Sequence, residues 1–109
     1  MIAVDRSTGK QVWASKNVDA PAQYVSIMRG TLGNKSFYVT ASKPGILAFD
    51  VLSGEQSFSD KATGNDVAVI PTPILSGDKL YHTSDYGAGN TLLKLVASDS
   101  GITAESVYA

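Results

Sequence analysis

The chain writes one pattern twice, 45 residues apart. Ile2–Trp13 lines up with Leu47–Phe58, so that Asp5 falls on Asp50, Gly9 on Gly54 and Trp13 on Phe58 (50 − 5 = 54 − 9 = 58 − 13 = 45). A fixed period in the forties constrains the fold strongly. Each copy must be one supersecondary unit that cannot bury its apolar face alone, so neighbouring copies stack. The units are β-structure: turn signals recur about every 8–12 residues, and no segment carries a helical apolar period with a cap and a stop. Strands are expected near residues 2–5, 11–15, 24–29, 36–41, 46–50, 55–59, 67–75, 79–84, 91–97 and 102–108. Ser7-Thr8-Gly9-Lys10 and Leu52-Ser53-Gly54-Glu55 place Gly where a tight turn needs positive φ, and Gly33-Asn34 and Ser76-Gly77-Asp78-Lys79 mark two further turns.

A repeat of this length built from short strands is the signature of a β-propeller blade, a four-stranded antiparallel sheet. The register divides the chain into a half blade over 1–15, a blade over 24–59 and a blade over 67–108. The segments 24–41 and 72–84 form the first hairpin of each blade. Ile27 and Lys35 mark one turn and Ile74 and Lys79 the other, which makes the first turn the longer. The Asp-to-Gly-to-Trp/Phe segments form the second hairpins, and a degenerate third runs from Leu92 through Asp99 and Gly101 to Tyr108. A closed ring needs at least about four blades, so the expected architecture is all-β with an incomplete ring. The alternative is a small β-sandwich born of a duplication, with the Trp13 and Phe58 hairpins in facing sheets.

The run Ala3-x-Asp5-x-x-Thr8-Gly9-Lys10-x-x-Trp13 resembles the repeat of the pyrroloquinoline-quinone-type β-propellers. The resemblance implies a blade-locking motif, with the Trp packed between the Gly-containing turn and the next blade. In this chain it would comprise Ala3, Asp5, Thr8, Gly9 and Trp13, and again Ala48, Asp50, Gly54 and Phe58. The second copy departs from the pattern, with Ser53 for Thr, Glu55 for Lys and Phe58 for Trp. The stretch Ile70-Pro71-Thr72-Pro73-Ile74 and the loop Ser84–Gly89 also look like secreted, non-enzymatic members. The implied function is therefore a non-catalytic scaffold for protein contacts, in a periplasmic or secreted parent. The alternative is part of a quinone-dependent dehydrogenase whose catalytic blades lie elsewhere.

The residues give no support to a cofactor. In the family's enzymes the quinone stacks on a Trp floor, under a disulfide of adjacent Cys and beside calcium. This chain has no Cys, and its single Trp is committed to the locking motif. No acidic and amide cluster offers the roughly 6–8 oxygen ligands that calcium takes. No cofactor, no metal and no catalytic constellation are therefore expected. His82 lies on a strand near Ser84 and Asp85 and is expected to pack or hydrogen-bond inside the sheet. Gly87-Ala88-Gly89 is followed by a strand rather than by the helix that a phosphate cradle needs, and reads as a wide turn. Loops carry variable function, so the rim loop of Asp85, Tyr86, Gly87, Gly89 and Asn90 is the candidate contact site. Asp5 and Asp50 belong to different blades, and each is expected to accept backbone N–H groups of its own turn.

A formal net charge of −1 without any basic run argues against nucleic acid as a partner. No apolar run approaches the roughly 18 residues of a membrane span. The first residues lack the basic-then-apolar order of a signal peptide. The expected partners are other propeller blades or other proteins. An open fragment leaves apolar faces and strand edges bare, so the isolated chain is expected to self-associate.

Overall fold

A computed structural model describes all 109 residues as ten strands with no helix. They are β1 (Ile2–Val4), β2 (Gln11–Ala14), β3 (Met28–Leu32), β4 (Lys35–Ser42), β5 (Gly45–Asp50), β6 (Gln56–Asp60), β7 (Ile74–Ser76), β8 (Lys79–Ser84), β9 (Gly89–Ser98) and β10 (Gly101–Tyr108). They form a two-stranded ribbon, β1–β2, and two four-stranded antiparallel meanders, β3–β4–β5–β6 and β7–β8–β9–β10, none closed into a barrel. Each expected strand overlaps an observed one, but the strand expected over 24–29 is displaced to β3 and meets it only at Met28 and Arg29.

Two further expectations are corrected. The first hairpin turn is not longer than the second: Leu32 pairs with Lys35 and Ser76 with Lys79, so both are two-residue turns, on Gly33-Asn34 and Gly77-Asp78. Each has Gly at its first central position with positive φ (+62° and +59°), as a type II′ hairpin requires. Ile27 lies before β3 and marks no turn. The strand expected over 67–75 shrinks to β7, because Pro71 and Pro73 have no N–H for a ladder.

Alternation along β4 sends Phe37, Val39 and Ala41 to one face and Tyr38 and Thr40 to the other. The first face joins Ile46, Ala48 and Phe58 of the same sheet to Leu80, Leu93, Leu95 and Ile102 of the last sheet. Phe37 and Phe58 meet edge to face with centroids 6.1 Å apart. Fully burying one such side chain is worth about 1.5–3 kcal/mol. The opposite face of the middle sheet receives the ribbon, with Trp13 and Tyr38 centroids 6.3 Å apart. Two connectors, residues 15–27 and 61–73, link the sheets and touch each other. Tyr24 N–H donates to the Val69 carbonyl (3.3 Å), Val69 N–H to Gln23 Oε1 (3.2 Å) and Ser26 N–H to Thr72 Oγ1 (3.1 Å).

Candidate functional site

The two copies of the motif share their backbone hydrogen bonds, and a hydroxyl from a different position of each turn adds to them. Asp5 Oδ1 accepts Ser7 N–H (2.9 Å), Thr8 N–H (3.0 Å) and the Ser7 hydroxyl (2.6 Å). Asp50 Oδ1 accepts Leu52 N–H (2.8 Å), Ser53 N–H (2.9 Å) and the Ser53 hydroxyl (3.2 Å). Gly9 and Gly54 share a φ of +74° and donate to the carbonyls of Asp5 and Asp50. Thr8 and Ser53 play one part, since each hydroxyl accepts the N–H two residues on, at 3.2 Å. Even the ladder irregularity recurs, between Ala3 and Val4 and between Ala48 and Phe49. The expectation that each Asp caps its own turn therefore holds. The hydroxyl of Ser7 above all, then the Ser7 and Thr8 N–H groups, hold the Asp5 carboxyl below its ordinary range. The Ser53 N–H is the chief cause for Asp50.

Trp13 joins the ribbon to the next sheet. Its indole Nε1–H donates to the Val51 carbonyl (2.9 Å) and its ring covers Gly54, at which a Cβ would overlap it. Phe58, the counterpart of Trp13, faces the last sheet. The third copy lacks the loop that Trp13 uses. Val4 pairs with Gln11 and Phe49 with Gln56 across six-residue turns, but Ser98 pairs with Gly101 across Asp99-Ser100 alone.

His82 is 1% exposed and satisfied on both ring nitrogens. The Pro71 carbonyl can only accept, so Nε2 carries the proton and donates to it (2.8 Å), while Nδ1 accepts the Thr63 hydroxyl (2.7 Å). Burial pushes the imidazole below its usual 6.5, and the Pro71 carbonyl partly opposes this. Two residues on, on the same face, the Ser84 hydroxyl meets Asn65 Nδ2 (2.6 Å). Asn65 Oδ1 in turn accepts Val67 and Ala68 N–H. This buried polar strip ties the connector 61–73 to β8. Thr63 and Asn65 were not singled out in the sequence. Asn65-Asp66 in a polar run is a turn signal but carries no hint of a partner on β8.

The candidate rim residues do not share one wide loop. Ser84 pairs with Gly89, which leaves the tight turn Asp85–Ala88 and puts Gly89 and Asn90 inside β9. Tyr86 sits at φ +61° with its N–H on Asp85 Oδ1 (2.8 Å), and its side chain is exposed. None of Asp85, Tyr86, Gly87, Gly89 or Asn90 lines a cavity. The largest cleft, about 470 Å³, is polar and lies between Lys16-Asn17 and Ser53–Gln56. Two apolar clefts flank the ribbon, of about 200 and 180 Å³. No three His, Asp or Glu side chains converge as metal ligands, and no helix is long and apolar enough to cross a membrane.

These features define an all-β chain of successive antiparallel sheets locked by a repeated turn. Compared with protein-family models, curated proteins and solved structures, the chain matches none.

Proposed function

We propose that the chain is a non-catalytic β-propeller repeat segment that acts as a scaffold for protein contacts. One observation carries the reading: the same hydrogen-bonded turn occurs twice at the repeat spacing, and Trp13 of one unit seats on Gly54 of the next. Asp5 and Asp50 each commit one carboxylate oxygen, Oδ1, to their own turns, and His82 has both ring nitrogens occupied inside the fold. Successive four-stranded meanders in sequence order support blades over a duplicated sandwich. The family resemblance points to a periplasmic or secreted parent, with other blades or proteins as partners.

The scaffold reading is tested by thermal unfolding of the purified chain with and without pyrroloquinoline quinone and calcium. The scaffold reading expects an unchanged Tm. A Tm that climbs with quinone concentration would mean preferential binding to the folded chain, and the dehydrogenase reading would replace the scaffold.

A further inference from the structure

Asn34-Lys35-Ser36 is the one place in the chain where an Asn has a hydroxyl residue two positions on and no Pro between. Asn17, Asn65 and Asn90 are followed at that distance by Asp19, Val67 and Leu92. The pattern Asn-x-Ser/Thr is the acceptor sequence of N-linked glycosylation, and because so short a pattern also arises by chance, its place in the fold decides. Asn34 is the second central residue of the two-residue turn between β3 and β4, and it is exposed. Ser36 follows in β4, with its hydroxyl 3.0 Å from the Thr31 hydroxyl.

The turn stays open on both sides. Beside Asn34 the following sheet is complete, and a Cβ at Gly33 would meet only the Ala97 Cβ, at 3.9 Å. Gly77-Asp78 is the same turn in the last sheet, with a Gly φ of +59° against +62°. There the preceding sheet is complete, yet the Asp78 side chain is 41% exposed and a Cβ at Gly77 would meet nothing within 4 Å. Neither a preceding nor a following sheet covers this position. The turn does not require the motif either. Asp78 and Leu80 stand where Asn34 and Ser36 stand, after the same Gly and on either side of a Lys.

We infer that Asn34 is an acceptor for an N-linked glycan, carried on the exposed β3–β4 turn. Asn34 Nδ2 attacks C1 of a polyisoprenyl-pyrophosphate-linked oligosaccharide. The Nδ2–C1 bond forms, the C1–O bond to pyrophosphate breaks, and one amide proton passes to the released pyrophosphate. The folded turn then holds the bulky polar group in solvent, the surface placement that such a group needs. The antiparallel meander sets the β3–β4 and β5–β6 turns at one end of the middle sheet, and Val51 N–H reaches the Ser36 carbonyl (3.3 Å). The glycan therefore stands on the rim of the Asp50 turn. The β4–β5 turn, counterpart of the β8–β9 turn that carries Tyr86, lies at the opposite end. The inference rests on the exported parent proposed above.

The test translates the full chain behind a cleavable secretion leader into microsomes that carry oligosaccharyltransferase. An Asn-x-Thr site on an extended C-terminal tail reports which chains were translocated. Those chains are expected to gain a second, amidase-sensitive oligosaccharide at Asn34, lost in Asn34→Gln and in Ser36→Ala and retained in Ser36→Thr. Chains modified on the tail but bare at Asn34 overturn the inference, as does a second glycan that survives Asn34→Gln. The fold is tested apart from the transfer. The chain glycosylated at Asn34 by a secreting host, without the tail, is expected to share the urea midpoint of the same chain made without a glycan. A lower midpoint for the glycosylated chain overturns the inference, because the turn would then not be open on the folded surface. The exported-parent reading is judged separately, on the natural full-length protein. Asn34 bare there but modified in microsomes sinks the export reading and leaves the acceptor site standing.

Discussion

Trp13 lies flat enough on Gly54 that any side chain at that position must displace the indole ring. Gly9 is the internal control. It has the same φ of +74°, the same place in its turn, and open space where a Cβ would go. Gly9→Ala is therefore expected to cost only the left-handed backbone term, about 1–2 kcal/mol. Gly54→Ala adds overpacking of roughly 1–3 kcal/mol. Trp13→Ala should lose about 3–5 kcal/mol, and in that background Gly54→Ala should fall to the cost of Gly9→Ala, because contacting residues are non-additive. Urea denaturation of the three single variants and the double mutant measures all of this. Additive effects at Trp13 and Gly54 would remove the contact from the account.

The capping carboxylates set the acid limb of stability. Asp50 is held below its unfolded value of 3.8, by the Ser53 N–H first. A depressed folded value means that the unfolded chain binds more protons over the window between the two values. The contribution is complete above 3.8 and is lost as pH falls through the lower folded value. Asp50 remains partly exposed to solvent, which keeps the effect small. Denaturant midpoints from pH 5 down to pH 2 should fall for the wild type and fall less steeply for Asp50→Asn, which keeps an acceptor oxygen but has no charge to lose. Parallel curves would show that the carboxylate charge plays no part in the turn.

His82 acts at higher pH with the same sign. Its folded value lies below 6.5 because burial disfavours the imidazolium. Its contribution is complete above 6.5 and declines as pH drops from there toward the folded value. Wild-type stability should therefore decrease on acidification below about pH 6.5, and His82→Gln should flatten that slope. Thr63→Val removes the donor to Nδ1 and strands a buried acceptor, at about 1–3 kcal/mol. Amide exchange should then rise in the connector 61–73, because His82 ties Thr63 and Pro71 to β8. A connector that exchanges as in the wild type would show that the strip is not what holds it.

Local patterns were legible in the sequence and long-range partners were not. The six-residue turns could be read because Asp, the hydroxyl residue and Gly all act within one short stretch, and both copies spell them. The first hairpin of each four-stranded sheet was less legible. Gly33-Asn34 and Gly77-Asp78 carried the right signal, but anchoring the turn on Ile27 ignored that a two-residue loop leaves the strand to run on to Leu32. Val67, Val69 and Ile70 looked like strand until Pro71 and Pro73 denied the ladder its donors. The His82 partners lie 19 and 11 residues away in a connector with no periodicity, so only the folded chain brings them together.

The one strong departure between the copies, Phe58 for Trp13, follows from the third turn. Trp13 needs the Val51 carbonyl, which the six-residue loop of the following unit presents to its indole N–H. The unit that follows Phe58 has only Asp99-Ser100 between its strands. A ring without a donor suits that junction, where Phe58 is 8% exposed and already meets Phe37. Phe58→Trp would bury an indole N–H without that loop's acceptor, at about 1–3 kcal/mol, and overfill the core by a further 1–3 kcal/mol or so. Trp13→Phe, in the reverse sense, gives up one hydrogen bond and some area while keeping an aromatic ring on Gly54. It should cost roughly 1–2 kcal/mol, the net worth of the bond plus the lost contact. Urea midpoints for the two variants should rank Phe58→Trp as the more destabilised. The reverse ranking would mean that the short third turn accommodates an indole as the six-residue turn does.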